Sequence, residues 1–216
     1  MQEQLMMEAK RVLRMLADDK NVLLTGAPAT GKTTLLNMAE HLFLERGETT
    51  VDPYGAAAFP IASASDEGAF PGGGCSNRKV FRTTFHQGTR YRDFVRGIVP
   101  VPDASTVKFE VSKGLLWQAS EFAKQSDSAA LLIIDEINRG PAVSIFGDMI
   151  SAFEADKRLD DDGGIIAGKT VTVQILNDKA ELEDYQLPSR LYILAAMNQA
   201  DSSVNPWTLR LCVDGR

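Results

Sequence analysis

The stretch NVLLTGAPATGKTTLLNMAE, residues 21–40, decides the fold class. A short apolar strand at 21–25 is followed by a loop that fits the pattern GxxxxGK[ST], and a helical pattern follows the loop. Glycines let the backbone N–H groups of such a loop turn toward phosphates, and the N-terminus of the next helix adds a partial positive charge. The stretch therefore predicts a phosphate-binding loop between a buried strand and a helix.

The loop and the first turn of the helix supply the predicted nucleotide-binding residues. Lys32 is expected to reach the β and γ phosphates, and the hydroxyl of Thr33 is expected to hold Mg²⁺. The alternative is a glycine turn with an incidental lysine. The position of the motif between a strand and a helix argues against this alternative. The predicted set is Gly26, Ala27, Pro28, Ala29, Thr30, Gly31, Lys32, Thr33 and Thr34.

A second motif ends in two carboxylates. Residues 129–134 form a continuous apolar run, as expected for a central parallel strand, and Asp135 and Glu136 follow it. Carboxylates at the tip of a buried strand are costly unless they are used. Asp135 is predicted to bind Mg²⁺ through water, and Glu136 is predicted to polarise the attacking water, which favours hydrolysis. The alternative is that both acids simply face solvent.

Polar residues after a third apolar strand, at 190–197, extend the predicted site. Asn198 is predicted to be catalytic, bridging the γ-phosphate and the lytic water, and the alternative is an amide that caps a turn. Asp201 follows in the same loop and is a further candidate for orienting partners. Arg139, just after the acidic pair, is a candidate to pair with Glu136 or to cross a subunit interface.

The totals restrict the class of protein. The 216 residues are enough for one domain with a substantial core. There is no apolar run of membrane-spanning length and no secretory signal, so no membrane association is expected. Two cysteines without a framework fit a reducing, cytoplasmic compartment. The net charge of -6 argues against electrostatic coating of nucleic acid by this chain.

Strands that alternate with helices predict a parallel α/β sheet flanked by helices. We expect a leading helix in 1–20 and a core domain over 21–206. Within the core, residues 50–79 are rich in Gly, Ala, Ser and Pro, which predicts a mobile insertion. The remaining predicted elements are helices at 2–17, 32–45, 91–98, 113–124 and 142–155, strands at 80–85 and 170–175, and a turn at 160–164 that makes a hairpin plausible there.

A basic zone and one histidine have open interpretations. The zone either contacts nucleic acid or another subunit, or is a solvated face beside the nucleotide cleft. His86 has no second ligand at metal spacing, so we expect a structural or contact role for it. The basic residues are Arg78, Lys79, Arg82, Arg90, Arg92 and Arg96.

Three further segments carry a family resemblance: TFHQGTRYRDFVRGIVP (84–100), IIDEINRGPAVSIFGDMISAFEADKR (133–158) and LPSRLYILAAMNQADSSV (187–204). With the phosphate loop, they resemble the McrB-type branch of the AAA+ NTPases, the motor class of modification-dependent restriction systems. The resemblance implies a P-loop NTPase fold of the AAA+ type that hydrolyses GTP or ATP with Mg²⁺. It also implies a ring with nucleotide at subunit interfaces, movement along DNA, and a separate McrC-like nuclease subunit.

Two departures limit what the resemblance carries over. Ser202 stands where the family often has arginine, so no role is transferred to that position. Family members usually carry a specificity domain before the motor, whereas the phosphate loop here begins at residue 26. We therefore expect DNA recognition to come from partners or from a domain that is missing here.

The residues 207–216 differ from the continuation that the resemblance implies. A single-base deletion after Pro206 would explain them, because another frame can encode PLDVAFVRRW, with an arginine pair. We expect a C-terminally truncated domain that lacks the last strand and the helical lid, with a bare edge on the strand at 21–25. Without the arginine pair, we expect weak hydrolysis by this chain alone.

Two other functions remain open at this stage. One is a MoxR- or dynein-related AAA+ ATPase that remodels proteins. The other is a non-catalytic nucleotide-binding subunit that serves in assembly. The sequence does not separate GTP from ATP, because the motifs contain no residue that identifies the base.

Overall fold

The computed structural model describes residues 2–45, 71–103, 106–198 and 210–212. The strands are β1 (Asn21–Gly26), β2 (Asn77–Thr84), β3 (Ile98–Asp103), β4 (Thr106–Val111), β5 (Ser128–Asp135), β6 (Val173–Leu176), β7 (Leu182–Tyr185), β8 (Leu191–Asn198) and β9 (Arg210–Cys212). The helices are α1 (Gln2–Asp19), α2 (Lys32–Leu44), α3 (Tyr91–Phe94), α4 (Leu115–Ala123) and α5 (Ala142–Phe146). Short 3-10 helices follow at Ile137–Arg139, Gly147–Ala152 and Ala155–Lys157.

Five strands form one parallel sheet in the order β2-β5-β8-β1-β9. Among the described residues, two antiparallel hairpins, β3-β4 and β6-β7, make up the remaining strand pairing. The predicted fold class, a parallel α/β sheet flanked by helices, is confirmed. None of the helices in the described ranges is long and apolar enough to cross a membrane.

The two faces of the sheet bury separate hydrophobic clusters. Along β5 the first seven residues are buried, because both faces of this central strand are covered. Leu131 and Ile133 pack with α1 and α2, whereas Leu132 and Ile134 pack with α4 and α5. Adjacent side chains of a strand point to opposite faces, so one apolar run serves both clusters.

The prediction of a helix over 91–98 is wrong beyond Phe94. At Gly97 a Cβ atom would lie 2.3 Å from the Cβ atom of Arg92, so the chain passes close to its own helix and leaves it. Strand β3 begins directly afterwards, at Ile98. The two prolines of β3 concealed this strand from the sequence pattern, because proline is rare in strands.

The helix predicted over 142–155 is also shorter than expected. Helix α5 ends at Phe146, and Gly147 has a φ of 53°, which L-residues with side chains rarely adopt. A Cβ atom at Gly147 would lie 2.9 Å from the ring of Tyr91. The helix therefore breaks at this glycine and continues as a 3-10 helix.

The hairpin predicted near the turn at 160–164 lies further along the chain. Asp160 closes that turn by accepting a hydrogen bond from the backbone N–H of Gly164 at 2.6 Å. The strand predicted at 170–175 is β6, and it pairs with β7, in the register Val173 to Tyr185. The hairpin therefore forms with the segment after the strand rather than with the segment before it.

Two expectations about chain segments need correction. Strand β9 pairs with Val22–Leu24 of β1, so the prediction of a missing last strand and a bare edge is wrong over this stretch. The predicted insertion at 50–79 overlaps β2, which begins at Asn77. Its part at 50–70 and the tail residues 207–209 and 213–216 lie outside the described residues.

A buried arginine ties the amino ends of β1 and β8 together. Arg158 is fully buried, and its Nε donates to the backbone oxygen of Phe153 at 3.1 Å. Its other nitrogens donate to Oδ1 of Asn21, at 2.6 Å, and to the backbone oxygen of Leu191. Burial lowers the pKa of Arg158 to about 9. This network lies at the amino ends of the strands, whereas the acidic pair lies at the carboxyl end of β5. The role of the network is therefore structural.

Candidate nucleotide-binding site

The predicted site residues converge at the carboxyl edge of the sheet. In the register of β1 and β8, Gly26 lies beside Asn198. The side chain of Asn198 in turn contacts Glu136, which directly follows β5. Parallel strands bring their carboxyl ends to one edge, where α/β proteins bind ligands. The fold therefore places the start of the phosphate loop, the acidic pair and Asn198 next to one another.

The loop between β1 and α2 has the backbone of a phosphate-binding turn. Residues 27–30 are exposed. Ala29 has a φ of 65°, and Gly31 has a φ of 84° immediately before α2 begins. The hydroxyl of Thr30 donates to the backbone oxygen of Ala27 at 2.8 Å, which closes the loop. Left-handed residues in such a turn direct backbone N–H groups into a concave anion site.

Lys32 places its charge over this loop. Its Nζ donates to the backbone oxygens of Gly26 at 2.9 Å and of Ala27 at 2.7 Å. The ammonium group is thus held by two neutral carbonyl groups rather than by a carboxylate, so its positive charge is not neutralised by these contacts. A bound phosphate group would supply the negative charge that these contacts lack. The loop therefore fits the nucleotide that its sequence predicts.

The predicted magnesium ligands offer the hard oxygen donors that Mg²⁺ prefers. Thr33 is exposed in the first turn of α2, and Asp135 is partly exposed at the end of β5. Oδ1 of Asp135 accepts a hydrogen bond from the backbone N–H of Glu136 at 3.0 Å, which orients the carboxylate. Among the described residues, no three His, Cys, Asp or Glu side chains cluster as a metal site.

Glu136 has an unusual backbone conformation, and two side chains contact its carboxylate. Its φ of 52° and ψ of 46° are left-handed, which for a residue with a Cβ atom costs about 1–3 kcal/mol. The amide of Asn198 donates to its two carboxylate oxygens at 3.0 and 2.9 Å. Nε of Arg139 lies 3.3 Å from Oε2 of the same carboxylate. The pairing of Arg139 with Glu136, one of the two alternatives for Arg139, is therefore present within the chain.

Two further residues belong to the site and were not predicted from the sequence. Nδ2 of Asn138 donates to the backbone oxygen of Asn198 at 3.1 Å, which joins the turn after β5 to the end of β8. Arg82 on β2 contacts Glu40 at 3.0 Å and Asp135 at 3.7 Å, which links α2 to the acidic pair. The only signal for either was position: Asn138 lies close to the acidic pair, and Arg82 points outward from a strand.

The basic zone does not form a single face. Arg82 is engaged at the site, and Arg78 donates to the backbone oxygens of Phe43 and Gly72. Arg96 is buried, lies 4.5 Å from the centre of the Trp117 ring, and is ion-paired with Asp178. Arg78 and Arg96 serve intramolecular contacts, so neither of the two interpretations describes them. Arg82 is exposed beside the candidate nucleotide cleft, as the second interpretation expects.

Two predicted residues remain, His86 and Asp201. Nδ1 of His86 accepts a hydrogen bond from the backbone N–H of Gly88 at 3.1 Å, which fits the expected structural role in a loop. Asp201 lies outside the described residues, and its role stays a prediction.

Comparison with known proteins identifies a family and several proteins to which this chain is similar. The AAA domain family, in its dynein-related subfamily, matches residues 74–212. The chain is 27% identical to the EcoKMcrB subunit of a type IV methyl-directed restriction enzyme from Escherichia coli K12, over 89% of this chain and 33% of that protein. It is 36% identical to component YdiS of the type II restriction enzyme BsuMI from Bacillus subtilis 168, over 35% of this chain and 22% of that protein.

Among solved structures, the chain is similar to an ATPase of Cytophaga hutchinsonii. That similarity has a TM-score of 0.41 and 16% identity, and it covers 95% of this chain and 46% of the other. The chain thus spans about a third or less of the length of the two restriction proteins. The family match begins after the phosphate loop, so the assignment of the loop rests on its own motif and geometry.

Proposed function

The chain belongs to the dynein-related subfamily of AAA domains and resembles McrB, and from this premise we propose that it is the NTPase module of a McrBC-like DNA restriction motor. In this proposal, the loop from Gly26 to Thr34 binds GTP or ATP with Mg²⁺, and Glu136 and Asn198 carry out hydrolysis. The observation that carries the proposal is the contact of Asn198 with Glu136 beside the phosphate loop.

Binding begins with electrostatic attraction at the loop. Lys32 exchanges its two carbonyl partners for phosphate oxygens, which form stronger, charge-assisted hydrogen bonds. The backbone N–H groups after Gly31 and the positive end of α2 add to this attraction. Thr33 and Asp135 would hold Mg²⁺, which neutralises charge on the phosphates when it is bound.

Hydrolysis requires a base that holds the attacking water. Glu136 is positioned for this task because its left-handed backbone and the amide of Asn198 fix its carboxylate. We propose that basal turnover is low, because Arg139 occupies a carboxylate oxygen of Glu136 that a water would need. A rearrangement that releases the Arg139 contact while Asn198 keeps the carboxylate oriented then raises the rate.

The role in restriction is supported by the two relatives, both of which are components of restriction enzymes. The family match alone also suits a protein-remodelling ATPase. By analogy with the motor class, we propose self-association into a ring, a McrC-like nuclease subunit as partner, and contact with DNA through partners or another domain.

The test compares the chain with its Glu136→Gln variant. Binding of MgGTP and MgATP is measured by calorimetry, and phosphate release is measured under single-turnover conditions. We expect both chains to bind the same nucleotide and only the parent to release phosphate. Equal turnover in the two chains would favour a non-catalytic assembly subunit and would overturn the proposed hydrolysis.

The restriction role needs a separate measurement. A McrC-like nuclease subunit is co-expressed with this chain, and complex formation and nucleotide turnover are measured with and without methylated DNA. We expect the partner to bind and to raise turnover. Binding of a protein substrate in place of a nuclease would support the remodelling function instead.

A further inference from the structure

The hairpin formed by β3 and β4 has one fully apolar face that is exposed to solvent. The cross-strand pairs on this face are Ile98 with Val111, Pro100 with Phe109, and Pro102 with Val107. Three of these side chains are large and strongly exposed: Phe109 at 71%, Val107 at 61% and Ile98 at 48%. An exposed apolar patch of this kind marks an interaction surface more often than a solvated loop.

The two edges of the hairpin differ in their ability to pair with another strand. Pro100 and Pro102 have no N–H group, and proline fits a strand where its nitrogen faces away from the neighbouring strand. The outer edge of β3 therefore lacks two donors. Phe109 and Val107, the cross-strand partners of these prolines, direct their own backbone groups to the outer edge of β4. In the described part of the chain, this sheet has two strands, and residues 106–110 are exposed.

The sequence of β4, TVKFEV, is self-complementary in antiparallel pairing. When two copies align with Phe109 opposite Phe109 of the second copy, Lys108 lies opposite Glu110 and Val107 lies opposite Val111. Both charges are thereby paired with opposite charges, and the apolar side chains of both strands fall on the same face. Opposite charges and aromatic pairs at directly opposed positions stabilise a sheet, whereas like charges destabilise it.

The backbone pattern agrees with this register. The backbone N–H and C=O groups that face outward from β4 are those of the alternate residues 107, 109 and 111. Centring the pair on Phe109 joins 107 to 111 and 109 to itself, so the outward-facing residues meet one another as hydrogen-bonded pairs. Side-chain charge and backbone geometry thus select the same alignment independently.

We propose that a second copy of this chain docks on the edge of β4, forming a four-stranded antiparallel sheet with a two-fold axis at Phe109. Such a contact is isologous, because each copy contributes the same surface. It differs from the contacts of the proposed ring, which are head-to-tail. None of the residues of the contact belongs to the proposed nucleotide site, so we expect the contact to form without nucleotide.

Cysteine cross-linking tests the register. In the 216-residue chain with Cys212→Ser, Phe109→Cys places two sulfurs across a pair whose Cα atoms are about 5.5 Å apart, within the range for a disulfide. The matched control is Val107→Cys, whose counterpart in the second copy lies roughly 14 Å away. Both side chains are exposed, so neither change disturbs the core.

We expect a disulfide-linked dimer for Phe109→Cys and none for Val107→Cys alone. When the Val107→Cys chain is mixed with a separate Val111→Cys chain, we expect a disulfide-linked dimer that contains one copy of each. Adding Lys32→Ala to the Phe109→Cys chain removes the proposed nucleotide contact and should leave the cross-link unchanged. Equal cross-linking of the 107 and 109 variants, or none in either, would overturn the proposal.

Charge reversal tests the same interface in solution by sedimentation equilibrium. Glu110→Lys places like charges opposite each other at two symmetric positions and should raise the dimer dissociation constant about tenfold. The double variant Lys108→Glu with Glu110→Lys restores the pairing and should restore the parent value. Glu154→Lys makes the same change in net charge at an exposed site outside the hairpin and serves as the control. A parent chain that stays monomeric, or one that Glu110→Lys does not weaken, would contradict the two-fold contact.

Discussion

The side-chain nitrogen of Asn198 donates to both carboxylate oxygens of Glu136, at 3.0 and 2.9 Å, across the ends of two neighbouring strands. One amide thus fixes the carboxylate that we propose as the base. Because Asn198 also lies beside Gly26, it is the residue through which the acidic pair and the phosphate loop meet.

Replacing Asn198 should impair hydrolysis while leaving nucleotide binding intact. We expect Asn198→Ala to lower single-turnover phosphate release about a hundredfold, because Glu136 loses its orienting partner. Nucleotide affinity, measured by calorimetry, should stay within about threefold of the parent, since Lys32 and the loop are unchanged. Unchanged phosphate release would mean that the contact is not part of the proposed machinery.

Replacing Lys32 should weaken nucleotide binding rather than folding. Lys32→Ala removes the cation that is held over the loop, and we expect the dissociation constant for the nucleotide to rise by tenfold or more. The thermal midpoint without nucleotide should change little, because Lys32 contacts the carbonyl groups of its own loop and its side chain is not part of the core. Lys169→Ala, at an exposed turn, is the matched control and should bind nucleotide like the parent.

Arg82 should influence the response to magnesium. Arg82→Met removes the contacts of β2 with Glu40 and Asp135, so α2 and the acidic pair are no longer linked. We expect the Mg²⁺ concentration needed for half-maximal phosphate release to rise about tenfold. Arg92→Met, at an exposed arginine nearby, should leave this concentration unchanged. If Arg92→Met raised this Mg²⁺ concentration more than Arg82→Met did, the proposed link would be excluded.

Arg158 should be required for stability. Arg158→Met leaves the oxygens of Phe153 and Leu191 and Oδ1 of Asn21 without their charged donor, and we expect a loss of about 3–5 kcal/mol in the free energy of unfolding. Lys157→Met, at the adjacent half-buried position, should cost less than about 1 kcal/mol. Denaturation in urea measures both. Equal losses would show that the buried network contributes nothing specific.

The ion pair between Arg96 and Asp178 should be detectable in the acid titration of Asp178. A hydrogen bond from Arg96 lowers the pKa of Asp178 below its usual 3.8, so the contact stabilises the fold above that pH and is lost as the pH falls through the lowered value. We expect the carboxyl carbon resonance of Asp178 to titrate at lower pH than in an Arg96→Met variant. Identical titrations would mean that the pair does not form in solution.

The sequence predicted the parts of the site that depend on local pattern. The phosphate loop was recognisable because the glycines, Lys32 and Thr33 occur at fixed spacing between a strand and a helix. Strand β5 was recognisable because a strand covered on both faces is apolar throughout. Those two features also fix the edge of the sheet at which the site lies.

The sequence did not predict features that depend on distant contacts. Arg82 looked like one member of a basic run, and its partners on α2 and β5 are visible only in the folded chain. The left-handed backbone of Glu136 has no sequence signal, because a non-glycine residue adopts it only when its surroundings impose it. The β3-β4 hairpin was missed because its prolines contradict the usual composition of strands.

The place of β1 in the sheet has a consequence for synthesis on the ribosome. This strand is synthesised before both of its neighbours in the sheet, β8 and β9, which lie far after it in the sequence. At typical rates of translation, on the order of ten to thirty seconds pass before Leu191–Asn198 follows Asn21–Gly26. During that time β1 lacks its strand partners, so the nascent chain cannot complete the proposed nucleotide site until β8 has emerged.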